Sequence, residues 1–252
     1  MTSLKRLTRP LLGLAGTVLV TSVMALPSLG ASLSFTTSRA DLRSNDRLDW
    51  ASLGPIDPPQ PFRVLPFAST ATSDNGLQVN IDIPPTGDPT ITPPLLFQTT
   101  AAGIATNFAP DDFVLFTGLD PTQFPAPGNP GPLSLSFETP VRAVGAQIAV
   151  DDTPMFDAFI SAFDRDNNLL GNFSAPGTAS LALDNSALFL GALSDTANIS
   201  RLEFSSSVPN RAIGINALSL RAVPEPSGVA GLVLTGLGLL VMRKRKTLSG
   251  QR

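Results

Sequence analysis

Leu77-Gln78-Val79-Asn80-Ile81-Asp82-Ile83 alternates apolar and polar residues over all seven positions. Successive side chains of a strand point to opposite faces, so this period of two gathers Leu77, Val79, Ile81 and Ile83 on one side. A helix of the same sequence would scatter them around its axis. The stretch reads as a strand with one face on a core and the other in water.

Working outward, further short segments read as strands. They are Asp112 to Thr117, Leu133 to Phe137, Ala143 to Val150, Phe156 to Asp164, Leu169 to Ser174, Leu188 to Leu193, Ile199 to Ser205 and Ile213 to Leu220. Gly, Pro, Asn and Asp punctuate them at intervals typical of antiparallel sheets, and no helical pattern intervenes. Ala143 to Val150 (AVGAQIAV) is apolar nearly throughout, as expected of a central strand covered on both faces. The fold class this predicts is all-β, an antiparallel β-sandwich of jelly-roll-like form whose two sheets bury their apolar faces against each other. The fifteen phenylalanines suit such a core.

The sandwich is expected over residues 49–221, with 31–48 as an N-terminal segment before it. Asp49-Trp50 marks its start, with Trp50 either a packing anchor or an exposed platform for a sugar ring. Pro55, Pro58, Pro59, Pro61 and Pro66 cannot donate to a central ladder, so 53–66 reads as a loop or edge segment. Pro84-Pro85, Pro93-Pro94 and the run from Pro121 to Pro132 read likewise as loops.

Charge is unevenly placed. Lysine occurs only at Lys5, Lys244 and Lys246; between residues 31 and 221, nine arginines stand against nineteen acids, a net of −10 in a chain whose total is −3. An acidic, lysine-free body lacks the cationic face that displaces phosphate counterions, which excludes nucleic acid as a partner. There is no cysteine, histidine or tyrosine. Disulfides, thiolate chemistry, the usual zinc ligands and the commonest general base are therefore unavailable, and no serine has a histidine or a Ser-x-x-Lys lysine to activate it. Oxygen ligands remain.

The ends are built differently. Lys5, Arg6 and Arg9 precede an apolar run from Leu11 to Met24, and small residues follow at Ala25, Ser28, Gly30 and Ala31, the three parts of a signal peptide over 1–30. Cleavage after Ala25 and cleavage around Gly30 to Ala31 both fit. At the other end Val223-Pro224-Glu225-Pro226-Ser227 is followed by an apolar stretch at 228–242, a basic cluster at 243–246 and a tail at 247–252. As a single transmembrane helix, the fifteen apolar residues cover about 22 Å, somewhat short of a hydrocarbon core of about 30 Å. The basic cluster keeps to the cytoplasmic side under the positive-inside rule, leaving 31–221 outside.

In its order of Pro-Glu-Pro, short glycine-rich apolar helix and basic run, the segment 222–246 resembles the PEP-CTERM sorting domain, also labelled the ice-binding protein C-terminal domain. The resemblance implies a Gram-negative bacterium, export through the secretion machinery, transient anchoring in the inner membrane, and recognition by an exosortase that leaves the protein at the cell surface or outside it. Pro224, Glu225 and Pro226 would be the sorting motif read by that enzyme. Two prolines fix φ and withhold backbone donors, so the motif stays extended outside the helix and offers Glu225 to a protease. Residues 49–220 also look like the β-sandwich ectodomain found ahead of such tails, on the phrases FAPDD (108–112), GPLSLSFETPVRAVGAQIAV (131–150), AFDRDNNLLGNF (162–173) and ISRLEFSS (199–206). That second resemblance implies no activity.

Within the body, Asp164, Asp166 and Asn168 place oxygens at alternate positions, as at the start of a calcium loop. Leu169 and Ala175 stand where an EF-hand needs glycine and glutamate, which excludes that motif. Two readings remain: a hairpin turn between the flanking strands, and a structural calcium held with help from a remote carboxylate. The doublets Asp111-Asp112 and Asp151-Asp152 cannot form a glycosidase pair within themselves, since neighbours in a strand face opposite ways. Asn172-Phe173-Ser174 and Asn198-Ile199-Ser200 match a glycosylation sequon that carries little weight in a bacterium. Thr90-Ile91-Thr92 is a lone Thr-x-Thr without the repeats of an ice-binding face. No catalytic residue and no required cofactor emerge. The expectation is a non-enzymatic surface or matrix protein associated with the envelope or exopolysaccharide; the alternative is a carbohydrate-binding module or a calcium-dependent polysaccharide-active enzyme on the same sandwich.

Overall fold

Alternating apolar residues need a partner surface, and the chain supplies it by folding two sheets face to face. The computed structural model describes residues 32–56, 62–99 and 107–223. Among the described residues fifteen strands run in order: β1 (Leu33–Thr36), β2 (Asp46–Leu48), β3 (Phe62–Val64), β4 (Ala68–Thr72), β5 (Gln78–Asp82), β6 (Leu95–Gln98), β7 (Phe113–Phe116), β8 (Leu133–Val141), β9 (Ala143–Val150), β10 (Met155–Phe163), β11 (Leu169–Thr178), β12 (Leu188–Ser194), β13 (Ile199–Ser206), β14 (Ile213–Ile215) and β15 (Leu218–Arg221). The only helical pieces among the described residues are two 3-10 turns, Arg39–Leu42 and Trp50–Leu53. None is long and apolar enough to cross a membrane. The expected signal-peptide apolar region at 11–24 and the expected transmembrane helix at 228–242 lie outside the described residues.

The smaller sheet is ordered β11-β10-β13-β8-β5-β4, and every pairing in it is antiparallel. Its strands keep the period of two: Val79, Ile81, Leu133, Leu135, Phe156, Ala158, Ile160, Leu202 and Phe204 are buried on its inner side. Register matches them across the sheet, with Ile81 opposite Leu135, Leu135 opposite Leu202, and Ile160 opposite Phe204. Each such side chain moved out of water contributes about 1.5–3 kcal/mol. A slip of one residue would turn the whole set toward solvent, so burial fixes the register.

The larger sheet runs β1-β12-β9-β14-β7-β6-β3, with β15 beside β9 and β2 beside β15. All eight residues of β9 are buried, as its composition predicts. Val144, Ala146, Ile148 and Val150 join the core shared by both sheets. On the opposite face Ala143 meets Leu42 and Phe189 in a separate apolar cluster, because the N-terminal 3-10 turn lies over this side of the sheet. Gly145 and Gly191 face each other there, and a Cβ on Gly145 would come within 2.7 Å of the Phe189 ring, so the glycine makes room for the aromatic.

Two expectations change. Residues 31–48, read as a segment ahead of the sandwich, supply strands β1 and β2, which pair with β12 and β15. Leu33 to Thr36 alternates over only four residues, and in β2 a buried Asp46 stands where an apolar residue would mark the inner face. The continuous strand expected over Ile213 to Leu220 is interrupted: β14 pairs Ile215 with Ile148, whereas β15 pairs Ser219 with Gly145, one residue out of step. The extra residue falls at Asn216-Ala217 and behaves as a bulge.

Candidate functional site

The bulge places Asn216 in a densely hydrogen-bonded buried polar cluster that it shares with Gln147. Asn216 Oδ1 accepts from the Gln147 N–H at 3.1 Å and from Arg39 Nη2 at 3.3 Å, while its Nδ2 donates to Gln147 Oε1 at 2.6 Å and Asp112 Oδ2 at 3.0 Å. Its carbonyl accepts from Trp50 Nε1 at 2.9 Å. Trp50 is fully buried, which assigns it to packing and removes the sugar-platform reading. Arg39 completes the cluster, donating to Ser219 Oγ at 2.6 Å with its guanidinium 4.9 Å from the Phe189 ring centre. Burial draws the Arg39 pKa down, and the Asp112 charge works the other way. With these donors engaged inside the protein, the cluster clasps the N-terminal segment to the sheet.

Asp164, Asp166 and Asn168 form the turn between β10 and β11. Asp164 Oδ1 accepts from the N–H groups of Asp166 and Asn168 at 2.9 and 2.8 Å, and its Oδ2 from Asn168 Nδ2 at 2.9 Å. These bonds, that from the Asn168 side chain foremost, hold its pKa below the ordinary carboxylate value. Asn167 takes φ of +65°, which asparagine tolerates better than most residues. The hairpin reading accounts for the sequence pattern. Among the described residues no group of three or more acidic side chains converges as a metal site. Beside the turn, a cleft of about 540 Å³ is lined by Asp164, Asp166, Asn198, Ser200 and Val223, among others. In its wall Asn198 Oδ1 and Ser200 Oγ are buried without a protein hydrogen-bond partner.

The acidic doublets separate. Asp111 and Asp152 adopt positive φ, 65° and 47°, as turn residues. Asp112 Oδ2 accepts from the Ala109 N–H and from Asn216, and Asp152 Oδ2 accepts from the Ala126 N–H. Asp151 is 5 % exposed, and its pKa is raised from 3.8 to about 6 by burial first and by the Asp152 charge second, with Arg211 opposing. Nothing in the sequence distinguished it from its neighbour.

The sorting motif Pro224-Glu225-Pro226 lies outside the described residues, but its point of departure is defined. Val223 lines the cleft next to the Asp164 turn, and Ala222 is bonded to Asn45. At the other terminus Ser32 Oγ donates to Asp195 Oδ2 at 3.2 Å, in the turn between β12 and β13 that also carries Asn198. The body thus receives and releases the chain at one end of the sandwich.

No family model matches the chain, and no curated protein matches it. Among solved structures it is similar to a DUF4465 family protein from Bacteroides caccae, at 10% identity, covering 70% of this chain and all of that one, with a TM-score of 0.38. The class defined here is an all-β sandwich of two antiparallel sheets.

Proposed function

We propose that the chain is an exported, non-enzymatic surface or matrix protein of a Gram-negative bacterium, a jelly-roll-like sandwich carried between a signal peptide at 1–30 and a PEP-CTERM tail at 222–246. In this reading the apolar stretch 228–242 holds the precursor in the inner membrane. An exosortase then acts at Pro224-Glu225-Pro226, and the body joins the envelope or exopolysaccharide. The observation that carries the proposal is the common end at which Ser32 and Val223 leave the sandwich. Until the signal peptide is removed, connections at one end let the body sit on one side of the bilayer while held through both termini. The acidic, histidine- and cysteine-free composition supports a binding or structural role over catalysis.

The test is Glu225→Ala in a host with the matching exosortase. The variant accumulates as an unprocessed, membrane-retained precursor, seen by blotting of fractions. Unchanged size and release would sink the reading.

A further inference from the structure

At the end of the sandwich opposite Ser32 and Val223, three loops cross from one sheet to the other. They are 83–94 between β5 and β6, 117–132 between β7 and β8, and 207–212 between β13 and β14. Between them lies a cleft of about 550 Å³ whose walls include Thr86, Asp88, Pro125, Gly128, Asn210 and Arg211. The loops are locked together. Asn129, 1 % exposed, donates to the Pro84 carbonyl at 2.8 Å and accepts from the Gly131 N–H at 3.0 Å. Gly128 donates to the Asn210 carbonyl at 2.9 Å, and a Cβ there would stand 2.3 Å from the Ala212 nitrogen.

The second observation is Phe124, which precedes the cleft-lining Pro125 and is 88 % exposed. Its exposure is imposed by a built loop. Asp120 Oδ1 accepts from the N–H and hydroxyl of Thr122, its Oδ2 accepts from Gln123 Nε2 at 2.7 Å, and the Ala126 N–H donates to Asp152. The residues on both sides are held, and the aromatic side chain is exposed one residue before Pro125, in a cleft wall that mixes Ile91 and prolines with polar groups. Asp88 uses only Oδ1 for its own turn, accepting from the N–H and hydroxyl of Thr90, and Arg211 anchors one arm on the Ala126 carbonyl. A carboxylate, an amide and a guanidinium in a cleft whose rim carries an exposed aromatic suit a pyranose ring, which presents vicinal hydroxyls at its edge and C–H groups on its face.

We propose that this cleft binds a neutral glycan, with Phe124 as stacking platform and Asp88, Asn210 and Arg211 as hydroxyl-binding groups. The proposal rests on the matrix-protein reading above, for which it names a ligand class and a site. Charge selects against a polyanion: Asp88 lines the cleft with Arg211, Asp151 acts on Arg211, and Asp120 and Asp152 anchor the neighbouring loop, in a body of net charge −10.

The test is affinity electrophoresis of the full-length chain in detergent with EDTA, through gels holding mixed-linkage β-glucan, galactomannan, dextran or alginate. The expected result is retardation by at least one neutral polymer and none by alginate. Phe124→Ala weakens binding at least tenfold, and Phe124→Trp restores it. Failure to bind any neutral polymer, binding to alginate alone, or an unchanged Phe124→Ala protein would overturn the proposal. Fractionation of cells separates it from delivery, because Phe124→Ala reaches the surface fraction as the unmodified chain does. If the unmodified chain stays inside the cell, the delivery reading falls while the gel result stands on its own.

Discussion

The side chain of Asn45 holds Ala222 by both backbone polar groups: Oδ1 accepts from the Ala222 N–H at 2.9 Å, and Nδ2 donates to the Ala222 carbonyl at 3.0 Å. The amide thus imitates one more residue of a neighbouring strand. The imitation extends a real ladder, since β15 pairs with β2 up to Leu220 opposite Asp46, and the Asn45 N–H donates to the Leu220 carbonyl. Order in the last strand is carried to the residue before Val223, two positions short of Pro224.

Asn45→Ala should therefore loosen the root of the tail and little else. Both bonds are solvent-exposed, and each is worth about 0.5–1.5 kcal/mol at most. Hydrogen exchange is the direct readout. The Ala222 amide loses protection in the variant, while the Leu220 amide, inside the paired strand, keeps it.

Asn216 stands at the other extreme, buried and using both ends of its amide four times. Asn216→Ala leaves the Gln147 N–H and Oε1 without these partners where water is scarce. The expected loss is about 2–4 kcal/mol, read from urea denaturation. Ser219→Ala, which removes one acceptor from the part-buried Arg39, costs less, on the order of 1 kcal/mol.

These two positions show what could be read from sequence alone. The strands were legible because alternation over Leu77 to Ile83 or Phe156 to Phe163 is a local record of which face is buried. The turn at Asp164 was legible for a related reason, since an Asp that bonds to residues two and four positions ahead acts within its own neighbourhood. Asn216 carries no such record. Its partners Arg39, Asp112 and Gln147 lie 177, 104 and 69 residues away and meet it only once the sheet has formed. The same holds for the cleft beside Phe124, whose walls come from three separated loops, and for Trp50, whose indole finds its acceptor 166 residues on.

Because Asp164 spends its oxygens on the turn, its charge is a structural asset. Its folded pKa lies below the ordinary 3.8, so the contribution is complete above that value and disappears as pH falls through the lowered one. Asp164→Ala lowers the thermal midpoint at pH 7 and narrows this difference at pH 3. The midpoint of the unmodified chain should be the same in EDTA and in millimolar calcium. A rise with calcium that Asp164→Ala abolishes would instead assign a metal to the turn.

Asp151 has the opposite sign. Its pKa is raised from 3.8 to about 6, so the folded protein binds this proton more tightly than the unfolded chain does. The stabilisation is fully present below pH 4, fades as pH rises through 6, and leaves a charged, buried carboxylate at neutral pH. A shift of this size corresponds to about 3 kcal/mol between the two limits. Asp151→Asn keeps the shape and removes the ionisation, and some of the gain is given back with the attraction to Arg211. Urea denaturation from pH 4 to 8 should show the unmodified chain losing stability across this window and the variant holding nearly level, the two curves diverging with the variant more stable at pH 8. Parallel curves would mean that the Asp151 carboxylate is already stabilised as an anion, with Arg211 outweighing burial and the Asp152 charge.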